Sequence, residues 1–231
     1  LVSSMCGRTA LATDPTVLAE RFGVTIREEY TPRYNIAPGD GLLAVRNDQP
    51  TCTEELTWGF LPEWAEDSGQ GPTPINARCE GIDESNLFAD AFASRRCLLL
   101  ADGFYEWAGP AGRKQPYRIE RVDGAPYAYA GLWSRWTGDG AERWTCTILT
   151  TEANGTVGEI HDRMPVMLEP GAEPTWLDGA DSDAWRSVFD PYPDDLLRAY
   201  PVSSRVNDST NDGPGVTEEV GSQSGLEDFG A

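Results

Sequence analysis

Met5-Cys6-Gly7-Arg8 contains the residue with the most distinctive chemistry in this chain. Once the methionine is trimmed, Cys6 carries a thiol and a free α-amine on adjacent carbons. Their reference pKa values are roughly 8.5 and roughly 7.7–8.0, so both are usable near neutrality. A 1,2-aminothiol condenses with an aldehyde: the amine forms an imine, and the sulfur closes it to a thiazolidine. The competing reading of Cys6 is a small buried residue, the usual fate of a free cysteine.

His161 is the only histidine, set in Ile160-His161-Asp162-Arg163-Met164-Pro165. Any proton transfer by imidazole must use it; otherwise it is structural. Glu106 lies between Tyr105 and Trp107 in Asp102-Gly103-Phe104-Tyr105-Glu106-Trp107. Desolvation there favours a carboxyl that holds a proton near neutrality, and the alternative is a buried ion pair with an arginine. Asn76, in Asn76-Ala77-Arg78, offers both a donor and an acceptor. Arg78 can fork onto a phosphate, although the tripeptide alone is a weak signal.

Arg8, Arg78, Arg95, Arg96 and Arg163 flank these same motifs. They read either as phosphate contacts or as partners of the surplus carboxylates. Trp58 and Trp64 read either as base-stacking platforms or as core. Cys52, Cys79, Cys97 and Cys146 read as packing residues.

The composition limits what can surround these groups. The chain has 231 residues, 39% of them hydrophobic, enough for one sizeable domain with a real core. It carries 38 acidic and 18 basic residues, a net charge of −20, and Lys114 is its single lysine. With 8 Trp, 8 Tyr and 7 Phe it is expected to fold behind a heavily hydrated carboxylate surface, as in the salt-rich cytoplasm of a halophile. The charge argues against casual nucleic-acid binding but leaves room for a local arginine-lined groove. Five cysteines without C-x-x-C spacing and one histidine argue against a zinc site and a disulfide framework. No apolar run is long enough for a membrane span, so a cytoplasmic location is expected.

The elements that must position the site are short. Thr13 to Gly23 predicts a helix, with Thr13 or Asp14 as cap, Pro15 in the first turn and Gly23 at the end. Gly41–Arg46 and Thr51–Trp58 predict strands around a turn at Asn47-Asp48. Glu84–Ser94 has helical spacing. Cys97–Ala101, Phe104–Trp107, Pro116–Arg121, Tyr127–Trp133, Trp144–Thr151 and Arg163–Leu168 read as strands. Asp181–Phe189 and Pro193–Tyr200 read as short helices. The fold class expected is α+β: a single domain around a curved, barrel-like, mainly antiparallel sheet with peripheral helices. Residues 1–5 form an extension and 6–207 the domain. Asp208–Ala231, rich in Gly, Ser, Asp and Glu, reads as a disordered acidic tail.

In combination and in order, MCGR, PRYNIAPG, WGFLPEW, INAR, RRCLLLADGFYEW, KQPY, AGLW, TILTT and IHDRMPVML closely resemble the SOS-response-associated peptidase (SRAP) family of abasic-site shielding proteins. The resemblance runs from about Met5 to Asn207. It implies a β-rich α+β domain that acts in the DNA damage response. The domain binds single-stranded DNA at an abasic site and traps the ring-opened sugar as a thiazolidine cross-link. It also implies an enzyme classed as a peptidase, or hydrolase, credited with self-cleavage of an extension, and a lyase activity. No cofactor, metal or membrane is implied, the state expected is a monomer, and protein partners are left open.

Carried over by position, Cys6 is the nucleophile, Asn76 orients cysteine and sugar, and Glu106 and His161 move protons. Arg8, Arg78, Arg95, Arg96 and Arg163 contact phosphates, and Pro38 and Trp64 wedge against bases. Two features depart from the pattern. Leu1-Val2-Ser3-Ser4 precedes Met5, so either Met5 is the true start or the extension is removed. Glu63 and Glu66-Asp67 beside Trp64 are unusual on a DNA-facing surface.

Three rival readings stand beside this one. N-terminal-nucleophile glutamine amidotransferases also begin Met-Cys-Gly, but their later motifs are missing from this sequence. A non-covalent single-strand-binding module would leave Cys6 buried. A dedicated protease would turn Cys6, Glu106 and His161 on other proteins.

Overall fold

Short apolar stretches punctuated by turn residues become the strands of two sheets. The structure is a computed structural model that describes residues 7–26, 30–66, 73–110, 112–178 and 182–221. Among these, the strands are β1 (Thr9–Leu11), β2 (Arg33–Ile36), β3 (Gly41–Arg46), β4 (Thr53–Trp58), β5 (Asn76–Arg78), β6 (Arg96–Ala101) and β7 (Gly103–Ala108). They continue as β8 (Gln115–Arg121), β9 (Tyr127–Gly138), β10 (Ala141–Glu152), β11 (Arg163–Pro165), β12 (Met167–Leu168) and β13 (Leu197–Pro201). The helices are α1 (Pro15–Phe22), α2 (Ala89–Ser94), α3 (Gly155–Gly158), α4 (Glu173–Asp178) and α5 (Ser182–Arg186).

Strands β10, β4, β3, β6 and β9 pair in that order, and β9 pairs back to β10, closing a five-stranded barrel. Every pairing in the ring is antiparallel except the β4–β10 seam, where Thr57 lies opposite Thr145 in parallel. Closure leaves the ring without free edges. β3, β6 and most of β9 are buried on both faces and read as apolar runs, whereas β4 alternates, with Glu55 and Thr57 exposed. All six residues of β6 are buried. Helix α4 covers β6, with the Trp176 indole N–H donating to the Cys97 carbonyl at 2.9 Å. The curved, mainly antiparallel α+β architecture expected from the sequence is the one observed.

The second sheet has the order β13-β8-β7-β1-β2. β1 runs antiparallel to β7, with Thr9 opposite Phe104 and Ala10 opposite Gly103. The ladder continues one step further, where the Tyr105 N–H donates to the Arg8 carbonyl at 3.0 Å. Gly103 is dictated by its surroundings, because a Cβ there would lie 2.4 Å from the Arg118 guanidinium carbon. Asp102 fixes the far end of β1, accepting from the Ala12 and Thr13 N–H groups at 2.5 and 2.9 Å.

Several expected elements take a different form. Pro193–Tyr200 is not a helix. A 3-10 turn at Asp194–Leu196 leads into β13, which pairs along β8 from Leu197–Arg121 to Pro201–Tyr117. An otherwise open sheet edge has outcompeted a weak helical pattern. Glu84–Ser94 breaks into a 3-10 turn at Ile82–Glu84 and the short α2, with Ser85 extended between them. The Ser85 hydroxyl accepts from the Leu87 N–H at 3.3 Å, a local bond that competes with helix.

Arg163–Leu168 divides at Val166, where the chain leaves β10 for β9: Val166 donates to Leu149 and accepts from Ala130. The β9–β10 hairpin runs to Gly138 and Ala141, turning on Asp139 and Gly140 with φ of 52° and 73°. Both positive values belong to a type I′ turn, whose Asp-Gly pair is its common signature.

The tail beginning at Asp208 is also corrected, for residues 208–221. That stretch forms a 3-10 turn at Pro214–Val216, buries Val216, and bridges Glu219 to Val202. Val216 packs with Ala10, Tyr105, Val202 and Val206 in a small second core, which is the apolar contact that composition alone did not reveal. The rest of the expected tail and the residues 1–5 extension lie outside the described residues. Among the described residues, no helix is long and apolar enough to cross a membrane.

Candidate functional site

The sequence-nominated residues are spread over several strands and loops. Cys6 itself lies outside the described residues; two peptide bonds join it to Arg8, which the β1–β7 ladder sets opposite Tyr105. Glu106 follows Tyr105 on β7 and is 3% exposed, and its cross-strand neighbour is Tyr117. Tyr117 and Ala108 line a cleft of about 350 Å³ whose opposite wall includes Ile160, the residue before His161. Glu106 and His161 do not themselves line this cleft; Tyr117, opposite Glu106, and Ile160, before His161, do.

His161 is half-buried at the end of the turn after α3, where its N–H donates to the Val157 carbonyl. Its Nδ1 lies 3.1 Å from the Arg163 N–H and 3.0 Å from an Asp162 carboxylate oxygen. A neutral ring accepts the amide proton at Nδ1 and carries its own proton on Nε2; an imidazolium donates to Asp162 instead. Each protonation state thus has a partner at the same nitrogen, which suits a residue that moves protons.

Asn76 and Arg78 stand on one face of β5, held in parallel register with Ile148 and Thr150 of β10. Ala77 between them turns into the core, and Arg78 is exposed. Pro38 is exposed on the loop between β2 and β3. It lines a separate cleft of about 560 Å³ with Trp144, Arg143 and Ile75, the residue before Asn76. Trp64 is 65% exposed and shares a third, open groove with Arg95, which pairs with Glu63 at 3.6 Å. Trp58 is core, with its indole N–H on the Ile75 carbonyl at 2.8 Å.

Two arginines expected to contact phosphates are internal instead. Arg96 is buried, with its guanidinium donating to the carbonyls of Phe92, Ala93, Trp176 and Leu177. It also stacks 3.7 Å over the Trp185 ring. It ties together the C-terminal ends of α2 and α4, where unpaired carbonyls favour a cation. Arg163 is buried too. It donates to both Glu80 oxygens, at 2.5 and 2.8 Å, and to the Thr150 carbonyl at 2.6 Å. Its place is a clamp joining β11 to β10 and to the turn after β5. In the sequence, Glu80 was the available hint, because it follows Asn76-Ala77-Arg78 at a spacing that leaves it beside β10.

Arg8 is half-buried, with Nη1 donating to Asn35 Oδ1 at 2.8 Å and to the Val206 carbonyl at 2.7 Å. Burial, offset in part by Asp40, lowers its pKa. Asn35 is fully buried and was not singled out from the sequence. The described cysteines 52, 79, 97 and 146 are free and buried, as expected. Burial pushes the thiols of Cys79, Cys97 and Cys146 up, away from the nucleophilic thiolate. Among the described residues, no cluster of three or more His, Cys, Asp or Glu side chains is arranged to hold a metal.

The model of the SOS response associated peptidase (SRAP) family matches residues 5–209. The chain belongs to this family. Among SRAP relatives, it is 39% identical over 222 residues to the Abasic site processing protein YoqW of Bacillus subtilis, covering 93% of this chain and 99% of that protein. It is 31% identical over 226 residues to the Abasic site processing protein YedK of Escherichia coli, covering 94% and 100%. A crystal structure of a Bacteroides thetaiotaomicron protein superposes with a TM-score of 0.85 at 22% identity, covering 93% of this chain and all of that one, a likeness of fold.

Proposed function

We propose that this SRAP protein processes abasic sites in single-stranded DNA by covalent capture on Cys6. The observation that carries the reading is the β1–β7 ladder: the chain enters the fold at Arg8, opposite Tyr105, so the strand that follows Cys6 runs beside Glu106. The names of the curated relatives point to the same substrate class.

An abasic deoxyribose is mostly a closed hemiacetal, and a proton donor and acceptor assist its opening to the aldehyde. We assign that role to Glu106 and His161, whose neighbours Tyr117 and Ile160 line one cleft. The Cys6 amine then adds to the aldehyde carbon and the adduct loses water to give an imine. The thiol adds to that same carbon while its proton passes to nitrogen. One C–N and one C–S bond form, and one water leaves. Closure is fast because the thiol is held next to the imine at high effective molarity. With no aldehyde left, β-elimination and strand breakage stop. The reading requires a free α-amine on Cys6, so the acting species begins there, through its start site or through removal of residues 1–5.

Exposed Arg78 and Trp64 and the cleft-lining Pro38 supply the DNA-facing contacts in this reading. The test mixes protein beginning at Cys6 with a single-stranded oligonucleotide bearing one abasic site, then denatures and weighs the product. A mass of protein plus DNA minus water is expected, and it disappears in Cys6→Ala. An intact strand that binds as tightly as the abasic one, with no denaturation-resistant product, would overturn the reading in favour of a non-covalent module.

A further inference from the structure

The stretch from Val206 to Gly221 runs largely beyond the family match, which ends at residue 209. Yet it contacts the first described strand through a continuous chain of bonds. The Asp212 carboxylate accepts from the Tyr34 and Asn35 backbone N–H groups at 2.6 and 3.0 Å and pairs with Arg33. Asn35 then donates through Nδ2 to the carbonyls of Val206, Asp208 and Asn211, at 3.2, 3.1 and 2.9 Å. Its Oδ1 accepts from Arg8 Nη1, which also reaches Val206. The Trp107 indole N–H donates to Asn207 Oδ1 at 2.7 Å. Beneath these bonds Val206 and Val216 pack on Ala10 and Tyr105.

Fully buried amide side chains are held to one geometry when every partner is in place. Asn35 is such a group, and its partners come from both ends of the chain. Asp212 determines whether they are all present: it fixes the Asn35 backbone from one side while the carbonyls of 206–211 meet its side chain from the other.

We propose that residues 206–221 form a strap that sets the position of the N-terminal strand, with Asp212 as a positioning residue for the reaction at Cys6. The proposal rests on the reading of Cys6 as nucleophile. Asp212 touches no reacting atom. It acts through Asn35 and Arg8, two residues from the nucleophile, and a small displacement of a reacting group is enough to cost rate.

The test compares the full chain with Asp212→Ala, Asp212→Asn and Val216→Ser. Asparagine keeps an oxygen for the two N–H donors, and Val216→Ser loosens the strap without touching Asp212 or Arg8. Two quantities are read: the maximal adduct rate with its half-saturating DNA concentration, and hydrogen exchange of the Tyr105 amide, whose acceptor is the Arg8 carbonyl.

Asp212→Ala is expected to lower the maximal rate about ten- to a hundred-fold, with the half-saturating concentration unchanged. Tyr105 exchange should quicken about ten-fold as the ladder opens locally. Asp212→Asn should restore most of both, and Val216→Ser should act like the alanine variant. Unchanged rate and Tyr105 protection in Asp212→Ala, or in Val216→Ser if the alanine variant does not fold, would overturn the proposal. Should the wild type form no adduct, the abasic-site reading falls on its own, and Tyr105 exchange alone decides whether the strap holds β1.

Discussion

Arg163 meets Glu80 through both terminal nitrogens, at 2.5 and 2.8 Å, and so joins the turn after the strand that bears Asn76 to the strand that follows His161. The Arg163 hydrogen bond holds the Glu80 carboxyl below the usual carboxylate range. The folded state therefore binds protons less readily than the unfolded one. The pair's contribution is complete above the unfolded value of roughly 4.3 and is lost as pH falls through the lower folded value. Glu80 is half exposed, so the contribution is at most about 1 kcal/mol and shrinks further in high salt. Acid titration of thermal stability in Glu80→Gln should lack this part of the wild-type decline; an unchanged titration would refute the coupling.

Arg96→Ala should destabilise the fold by about 3 kcal/mol, since four carbonyls lose a charged donor and Trp185 loses its stacking partner. Arg96→Lys should recover only part, because one ammonium cannot span α2 and α4 as a guanidinium does. Denaturant unfolding measures both. A surface arginine that merely met phosphates would show almost no loss.

Trp64→Ala should leave stability within about 0.5 kcal/mol, given the exposure of its ring. Affinity for single-stranded DNA should fall by about 1–3 kcal/mol, the value of one stacked base. Arg78→Gln should instead reduce the salt dependence of binding by about one counterion. Titrations at several KCl concentrations separate the two. A net charge of −20 leaves little long-range attraction to lose, so the wild-type salt slope should be shallow.

Glu106→Gln keeps the size of a buried side chain and removes its proton traffic. The adduct rate should fall about 10²-fold or more, with single-strand affinity unchanged. Single-turnover kinetics on an abasic oligonucleotide checks this. A rate equal to wild type would reassign ring opening to His161 alone.

Where local chemistry decides the structure, the sequence was readable. Asp14 caps α1 by accepting from the Thr16 N–H, Pro15 opens the helix, and Gly23 closes it at φ 66°. The turn at Asn47-Asp48 separates β3 from β4 as its polar pair implies. Glu106 and His161 were nominated from their sequence neighbours, and the fold brings Tyr117, opposite Glu106, and Ile160, before His161, to one cleft.

Readability failed where a residue's partner is remote in the chain. Arg96 and Arg163 looked like cations beside polar motifs, but Arg96 also reaches two carbonyls of α4 about 80 residues on, and Arg163 reaches a carboxylate 83 residues away. Asn35 went unnoticed because its partners are backbone groups at positions 206–211. The polar stretch after Asp208 has few apolar residues, and one of them, Val216, finds a niche that only the folded sheet creates.

The bond between Arg8 and the Val206 carbonyl also has a consequence in time. At about 5–20 residues per second, a ribosome needs roughly 10–40 s to travel from the first strand to the segment that fastens it. β1 must also wait for β7 to emerge, and the parallel β4–β10 seam joins Thr57 to Thr145, a slow long-range pairing. The strand that follows Cys6 is thus made first and secured last. On the proposed reading, in which Cys6 acts with a free α-amine, any aldehyde met in that interval competes with the DNA.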